Sequence, residues 1–296
     1  MTSRFDPILI VVIAAVLGLI IGSFLNTVIH RLPRMLERRW RLQCEELAAA
    51  PALGTPPDTA PPSSQGSRYD LVLPRSHCPA CQTPVRARDL IPVLSWFVLR
   101  GRCAACGVAI SPRYPTVEAF TAVLFALAAA QLGLGWSLLG VLLVTAMLIA
   151  LAFIDLDTYF LPDEITLPLL WIGLAASVTI PLWKITPSEA VLGAIFGYLS
   201  LWIVYQAFKL ATGREGMGYG DFKLLAALGA WAGPFALLPI ILLASIAGAI
   251  VGITMMLAFG RGRYTPLAFG PYLAAAGWIT LVYGDRVTPL LQTMVR

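Results

Sequence analysis

The sequence predicts an all-α polytopic membrane protein of about eight transmembrane helices that carries a small cytoplasmic domain. Three observations predict it. Of the 296 residues, 58% are hydrophobic and only 12% are charged, about half the charged share usual in a soluble domain. Apolar stretches long enough to cross a hydrocarbon core of roughly 30 Å recur along most of the chain. The basic residues gather in the segments between those stretches, as membrane orientation requires. The net charge of +5 therefore points to topology; no nucleic-acid partner is expected.

The first apolar run, Ile8 to Ile29, is longer than a signal-peptide core and ends at His30-Arg31-Leu32-Pro33-Arg34 with no small-residue cleavage site. It is expected to stay as an anchor, residues 1–30. A polar, arginine-rich segment follows, and residues 31–115 are expected to form the cytoplasmic domain. Within it, Ala48 to Ser67 is rich in Ala, Pro and Ser, has no periodicity and reads as a flexible insert near 48–67. Residues 116–296 form the membrane core. Turn signals divide it into runs near Val117–Leu134, Trp136–Ile154, Ile165–Leu182, Ala190–Leu210, Phe222–Ala232, Phe235–Phe259 and Leu267–Tyr283. The run at Phe222–Ala232 is too short to cross alone. Arg31, Arg34, Arg38, Arg39, Arg41, Arg75, Arg86, Arg88, Arg100, Arg102 and Arg113 crowd the segment after the anchor. Lys209, Arg214, Arg261 and Arg263 fall on the same side. The positive-inside rule makes that side cytoplasmic and puts the N-terminus outside.

Cys78-Pro79-Ala80-Cys81 and Cys103-Ala104-Ala105-Cys106 are two C-x-x-C pairs. Each pair brings two thiolates to one side of a tight turn, and two such knuckles make a tetrahedral site of four sulfurs that suits structural zinc. Disulfides and unlinked thiols are the simpler alternatives, and a cytosolic location disfavours the first. Cys44 stands apart as an ordinary thiol, and His77 is not needed as a ligand. With four thiolates bound, the metal has no open position for catalysis.

Two aspartates sit where an apolar helix meets a loop: Asp155 in Phe153-Ile154-Asp155-Leu156-Asp157, and Asp221 in Gly216-Met217-Gly218-Tyr219-Gly220-Asp221. Ionisable groups near membrane spans are costly and mark function. Two carboxylates in a partly dry site share a proton, so one acts as acid and the other activates water, which is enough to hydrolyse a peptide bond. Taken singly, an interfacial aspartate is more often a helix cap. Asp157 and Asp163 are rivals for the first role, and an N-cap position suits Asp163 better. Lys223 is placed to act on a nearby carboxylate.

These residues resemble the bacterial type IV prepilin peptidases, bifunctional leader peptidases and N-methyltransferases. The resemblance covers nearly the whole chain. It runs through Gly22-Ser23-Phe24-Leu25-Asn26-Thr27-Val28-Ile29-His30-Arg31-Leu32-Pro33, the cysteine knuckles, Arg113-Tyr114-Pro115 with Glu118, Asp155 to Pro168, Gly216 to Gly233, and Phe269-Gly270-Pro271-Tyr272. It implies that Asp155 and Asp221 are the catalytic pair, with Asp155 preferred to Asp157 by its place ahead of Leu161-Pro162-Asp163. It implies prepilin or type II secretion pseudopilin substrates in the lipid bilayer of the bacterial inner membrane. The basic leader would be cut after a glycine on the cytoplasmic side. The new N-terminal residue, usually Phe, would be methylated with S-adenosylmethionine. Four cysteines imply the methylating form, and Gly101 matches a position linked to methylation. The Ala/Pro/Ser insert is the main departure. Glu37, Glu45, Glu46, Asp70 and Asp89 are the acids available to a basic leader, though a solvated face is the simpler reading. A presenilin-like protease without methylation, and a transporter or scaffold with proton-coupling carboxylates, are the competing classes.

Overall fold

A computed structural model describes residues 6–49, 69–179, 185–259 and 267–295. Among these residues the regular structure is helical: α1 Pro7–Ala49, α2 Leu94–Val98, α3 Arg113–Leu132, α4 Trp136–Thr158, α5 Asp163–Thr179, α6 Pro187–Thr212, α7 Tyr219–Ala232, α8 Leu237–Phe259 and α9 Gly270–Val295. Five of them, α1, α3, α4, α6 and α8, are long and apolar enough to cross a membrane. The chain is thus an all-helical, multi-pass membrane protein. The expected insert lies outside the described residues from position 50 onward, as does the turn at 261–265.

The helices begin and end where local chemistry directs. Thr186 and Glu189 form a reciprocal capping box that opens α6, satisfying two free amide donors. Gly133, Gly213 and Gly233 close α3, α6 and α7 at positive φ, a backbone region open to a residue without Cβ. The anchor differs from expectation. It continues without a break through His30 and Pro33 to Ala49, a helix of 43 residues about 65 Å long. Past Arg34 its exposed face mixes charged side chains with Trp40, Leu42 and Leu47; Glu37 precedes Arg41 and Arg41 precedes Glu45 by one turn, a spacing that supports a solvated helix.

Packing separates a half made of α1, α3 and α4 from a half made of α5 to α8. α9 rests on α4, α7 and α8 and joins the two. The short run expected at Phe222–Ala232 is α7, the centre of the second half. Phe222, Leu224, Leu225, Ala227, Leu228 and Ala230 are fully buried, so past Lys223 the helix is apolar all round because it touches protein all round. At 14 residues it is about 21 Å long. Trp231 Nε1 donates to the Leu169 carbonyl of α5 at 2.8 Å, and Trp278 Nε1 of α9 donates to Thr145 Oγ1 of α4 at 2.9 Å. Glycines set the closest crossings. A Cβ at Gly193 would strike the Gly229 carbonyl and one at Gly229 the Gly193 carbonyl, while Gly197 faces the backbone of Leu225. In α1, Gly18 faces Ala122 and Gly22 faces Glu118 of α3. Each pair is a G-x-x-x-G, the spacing that lets two helix backbones meet inside a membrane.

Candidate active site

Asp155 lies in the last turn of α4 and Asp221 in the first turn of α7, both buried. Tyr159 takes a left-handed conformation and closes α4 by donating its amide to the Asp155 carbonyl at 2.9 Å. The chain then turns through Leu161 and Pro162 into α5. Buried Leu161 lies against both Gly220, beside Asp221, and Gly270, the first residue of α9. Gly270 donates its backbone amide to Asp155 Oδ2 at 2.9 Å, so the positive end of a helix faces this carboxylate. A Cβ at Gly270 would lie 2.7 Å from that oxygen, so any other residue there must push the carboxylate aside. Leu161 thus ties the turn that carries Asp155 to the turn that carries Asp221. Asp221 Oδ1 is buried with no hydrogen-bond partner among the described residues. A buried acceptor left open is costly, and such atoms mark catalytic positions or bound water. The site therefore has two neighbouring carboxyl groups from different helices, one oriented by a backbone donor and one with an oxygen free for a proton or a water.

The other charges near these aspartates are in ion pairs. Asp157 takes Arg113 Nη1 and Nη2 at 2.9 and 2.6 Å, and Arg113 also donates to the Phe153 carbonyl. Lys223 goes to Asp163 Oδ1 and Oδ2 at 2.7 and 2.8 Å. Both former rivals of Asp155 thus have their oxygens occupied. Asp163 stands inside the first turn of α5, where it pairs with Lys223, and the role of helix cap foreseen for it is not seen. Sequence reasoning missed these pairs and the Gly270 amide. Nothing in the local pattern links residues 44, 60 and 115 positions apart.

The four cysteine sulfurs lie within 4.8 Å of one another, with Cys78 and Cys106 Sγ 3.7 Å apart. Sulfurs bound to one tetrahedral zinc stand about 3.8 Å apart, so the set fits that metal. The two knuckles repeat one design. Cys78 and Cys103 donate their amides to Thr83 and Val108, and their carbonyls accept from Gln82 and Gly107. Those last two residues hold matching positive φ. Hydrogen bonds from the Thr83 hydroxyl and amide hold the Cys81 thiol down at about 6. For Cys106 a hydrogen bond from Val108 lowers the value, but burial and the other three thiols prevail and push it up to about 12. Four thiolates this close need a cation. His77 turns to the Arg75 carbonyl, away from the sulfurs, and exposed Cys44 lies apart from them. Gly101, at φ +66°, has no room for a Cβ beside the Trp96 ring.

Of the acids considered for a basic leader, Asp70 is engaged locally, accepting the Val72 and Leu73 amides at 2.8 and 2.7 Å. Glu37 and Glu45 line a shallow groove with Trp40, Arg41 and Cys44 on the extension of α1. Trp40 packs edge-on against Phe160 at 5.4 Å, one turn beyond the segment that carries Asp155.

Comparison with known proteins divides the chain between α3 and α4. Residues 16–132 match the bacterial peptidase A24 N-terminal domain, and residues 142–253 match the type IV leader peptidase family. A prepilin leader peptidase/N-methyltransferase of Aeromonas salmonicida is 52% identical over 274 residues, 92% of this chain and 90% of its own. Proteins of the same name are 47% identical in Pseudomonas aeruginosa, over 95% of this chain and 93% of that one, and 46% identical in Neisseria gonorrhoeae, over 93% and 91%. No solved structure matches the chain.

Proposed function

The chain belongs to the type IV leader peptidase family, and from that premise we propose that Asp155 and Asp221 are the catalytic pair of a prepilin leader peptidase and N-methyltransferase. It cuts the leader from type IV prepilins or type II secretion pseudopilins after a glycine, at the cytoplasmic face of the inner membrane. It then methylates the new N-terminal residue with S-adenosylmethionine. The observation that carries the peptidase reading is a pair of buried aspartates at helix ends that meet across Leu161, with Asp155 held by the Gly270 amide and one Asp221 oxygen open.

In hydrolysis one carboxylate takes a proton from water as its oxygen attacks the scissile carbonyl, while the other carboxylic acid gives a proton to the carbonyl oxygen. Collapse of that gem-diol breaks the C–N bond: the leaving amine takes up the proton gained from water, and one hydroxyl of the diol returns its proton to the carboxylate that had given one up. Asp221 suits the water-facing role and Asp155 the role fixed by α9. The substrate's apolar helix stays in lipid while its leader stays in water, so the scissile bond lies at the depth of these helix ends.

The anchor at 1–30, the tetracysteine segment within 31–115 and the peptidase core of 116–296 divide the labour, with the N-terminus outside and the cysteines on the cytoplasmic side. Cys78, Cys81, Cys103 and Cys106 hold a structural zinc that closes the small domain. Gly101 acts on methylation through shape, by letting the Trp96 ring of α2 pack against the start of the second knuckle. Asp155→Asn and Asp221→Asn, made separately and assayed on prepilin in proteoliposomes, are each expected to lower cleavage by about a hundredfold or more. Full cleavage by either variant overturns the pair. Product mass with and without S-adenosylmethionine tests the second activity.

A further inference from the structure

We infer that residues 90–98, the tip of the tetracysteine domain, dip into the bilayer beside α1 and α3 and contact lipid acyl chains. The tip is apolar and points outward. Phe97 is 65% exposed and Val98 72%, with Leu90, Ile91 and Leu94 about half exposed. These side chains are not the core of the small domain; that place belongs to Trp96, whose Nε1 donates to the Ile110 carbonyl and whose ring lies against Gly101.

Depth is fixed by one hydrogen bond. The Val93 amide donates to Glu118 Oε2 at 2.7 Å, and Val93 takes a φ of +60° to do so, an unfavourable conformation for a β-branched residue. Glu118 is buried five residues along α3 from Arg113, about 7.5 Å down the helix. Opposite it stands Gly22 of α1, eight residues before His30, about 12 Å down that helix. Both neighbours therefore place Val93 below the charged boundary of the membrane. At the same level Ile20 and Phe24 of α1 and Phe120 and Val123 of α3 are exposed. The tip extends the apolar surface that those helices already offer to lipid.

Irregular backbone survives at such depth only where its polar groups are partnered by protein, and several of the tip's groups are so partnered. Ser95 donates its amide and its hydroxyl to the Ile91 carbonyl, Phe97 donates to Val93, and Leu99 to Ser95. Ser23 of α1 hydrogen-bonds to Glu118. Exposed Arg86, Arg100 and Arg102 flank the tip, at the level where arginines meet lipid phosphates. The inference rests on the membrane-spanning character of the chain and not on which bond it cuts.

The test uses the full chain in phosphatidylcholine nanodiscs with a diazirine on the acyl chain, illuminated and mapped by mass spectrometry. Adducts are expected on residues 90–98 as well as on Phe120 and Val123. Adducts on Phe120 and Val123 with none on the tip overturn the proposal. Tip adducts that vanish when a prepilin helix is added assign the surface to substrate and also overturn it. Phe97→Asp with Val98→Asp is expected to lose the tip adducts alone, with unchanged zinc content reporting an intact domain; retained tip adducts count against insertion. Phe97→Leu is expected to keep them.

Discussion

Two residues after each proposed catalytic aspartate stands a charge that is ion-paired to the first residue of another helix: Asp157 to Arg113 of α3, and Lys223 to Asp163 of α5. These pairs fasten the two turns that carry the acids. All four side chains are partly exposed, so each pair contributes at most about 1 kcal/mol to stability; their effect is on position. Lys223→Met is expected to lower kcat by about tenfold with little change in KM, because small misplacements of reacting groups are costly. The exchange Asp163→Lys with Lys223→Asp is expected to recover most of it, as steady-state cleavage of prepilin will show. Gly270→Ala acts closer in. Its methyl would meet Asp155 Oδ2 at 2.7 Å, and the expected loss is about a hundredfold in kcat.

At the scale of helices, the second half depends on α7 lying flush with α6. Replacing Gly193 with Leu pushes a side chain into the Gly229 backbone and is expected to destabilise the protein by about 1–3 kcal/mol. Thermal unfolding in detergent, read by near-ultraviolet circular dichroism, checks it. Helix positions were legible from runs of apolar residues, and the two aspartates and four cysteines from the cost of burying charge and from C-x-x-C spacing. The extension of α1 was not, because a charged amphipathic helix has the composition of a loop when only hydropathy is weighed. Two of the G-x-x-x-G spacings in the sequence, Gly18/Gly22 and Gly193/Gly197, carry the contacts that fold the halves. Gly270 and the ion pairs were beyond reach, since they depend on which helix ends the folded chain brings together.

Across the whole molecule, the tetracysteine domain is held to the membrane helices at two points. Arg31 of α1 donates to the carbonyls of Asp70 and Pro74 at 3.0 and 2.7 Å, and Glu118 of α3 receives Val93. Chelation of zinc is expected to expose residues 69–112 to proteolysis and to abolish methylation before cleavage; parallel digestion and product-mass assays check the order. Zinc occupancy should fall with falling pH, because thiols must lose protons to bind it. Metal analysis across a pH series reads the trend. The burial of α7 has a different consequence. From Leu224 to Trp231 the helix is enclosed by protein, so stretching or thinning the surrounding leaflets should leave the geometry around Asp221 unaltered. Cleavage rates in nanodiscs made from short-chain and long-chain lipids are then expected to agree, even where the outer helices tilt to follow the change.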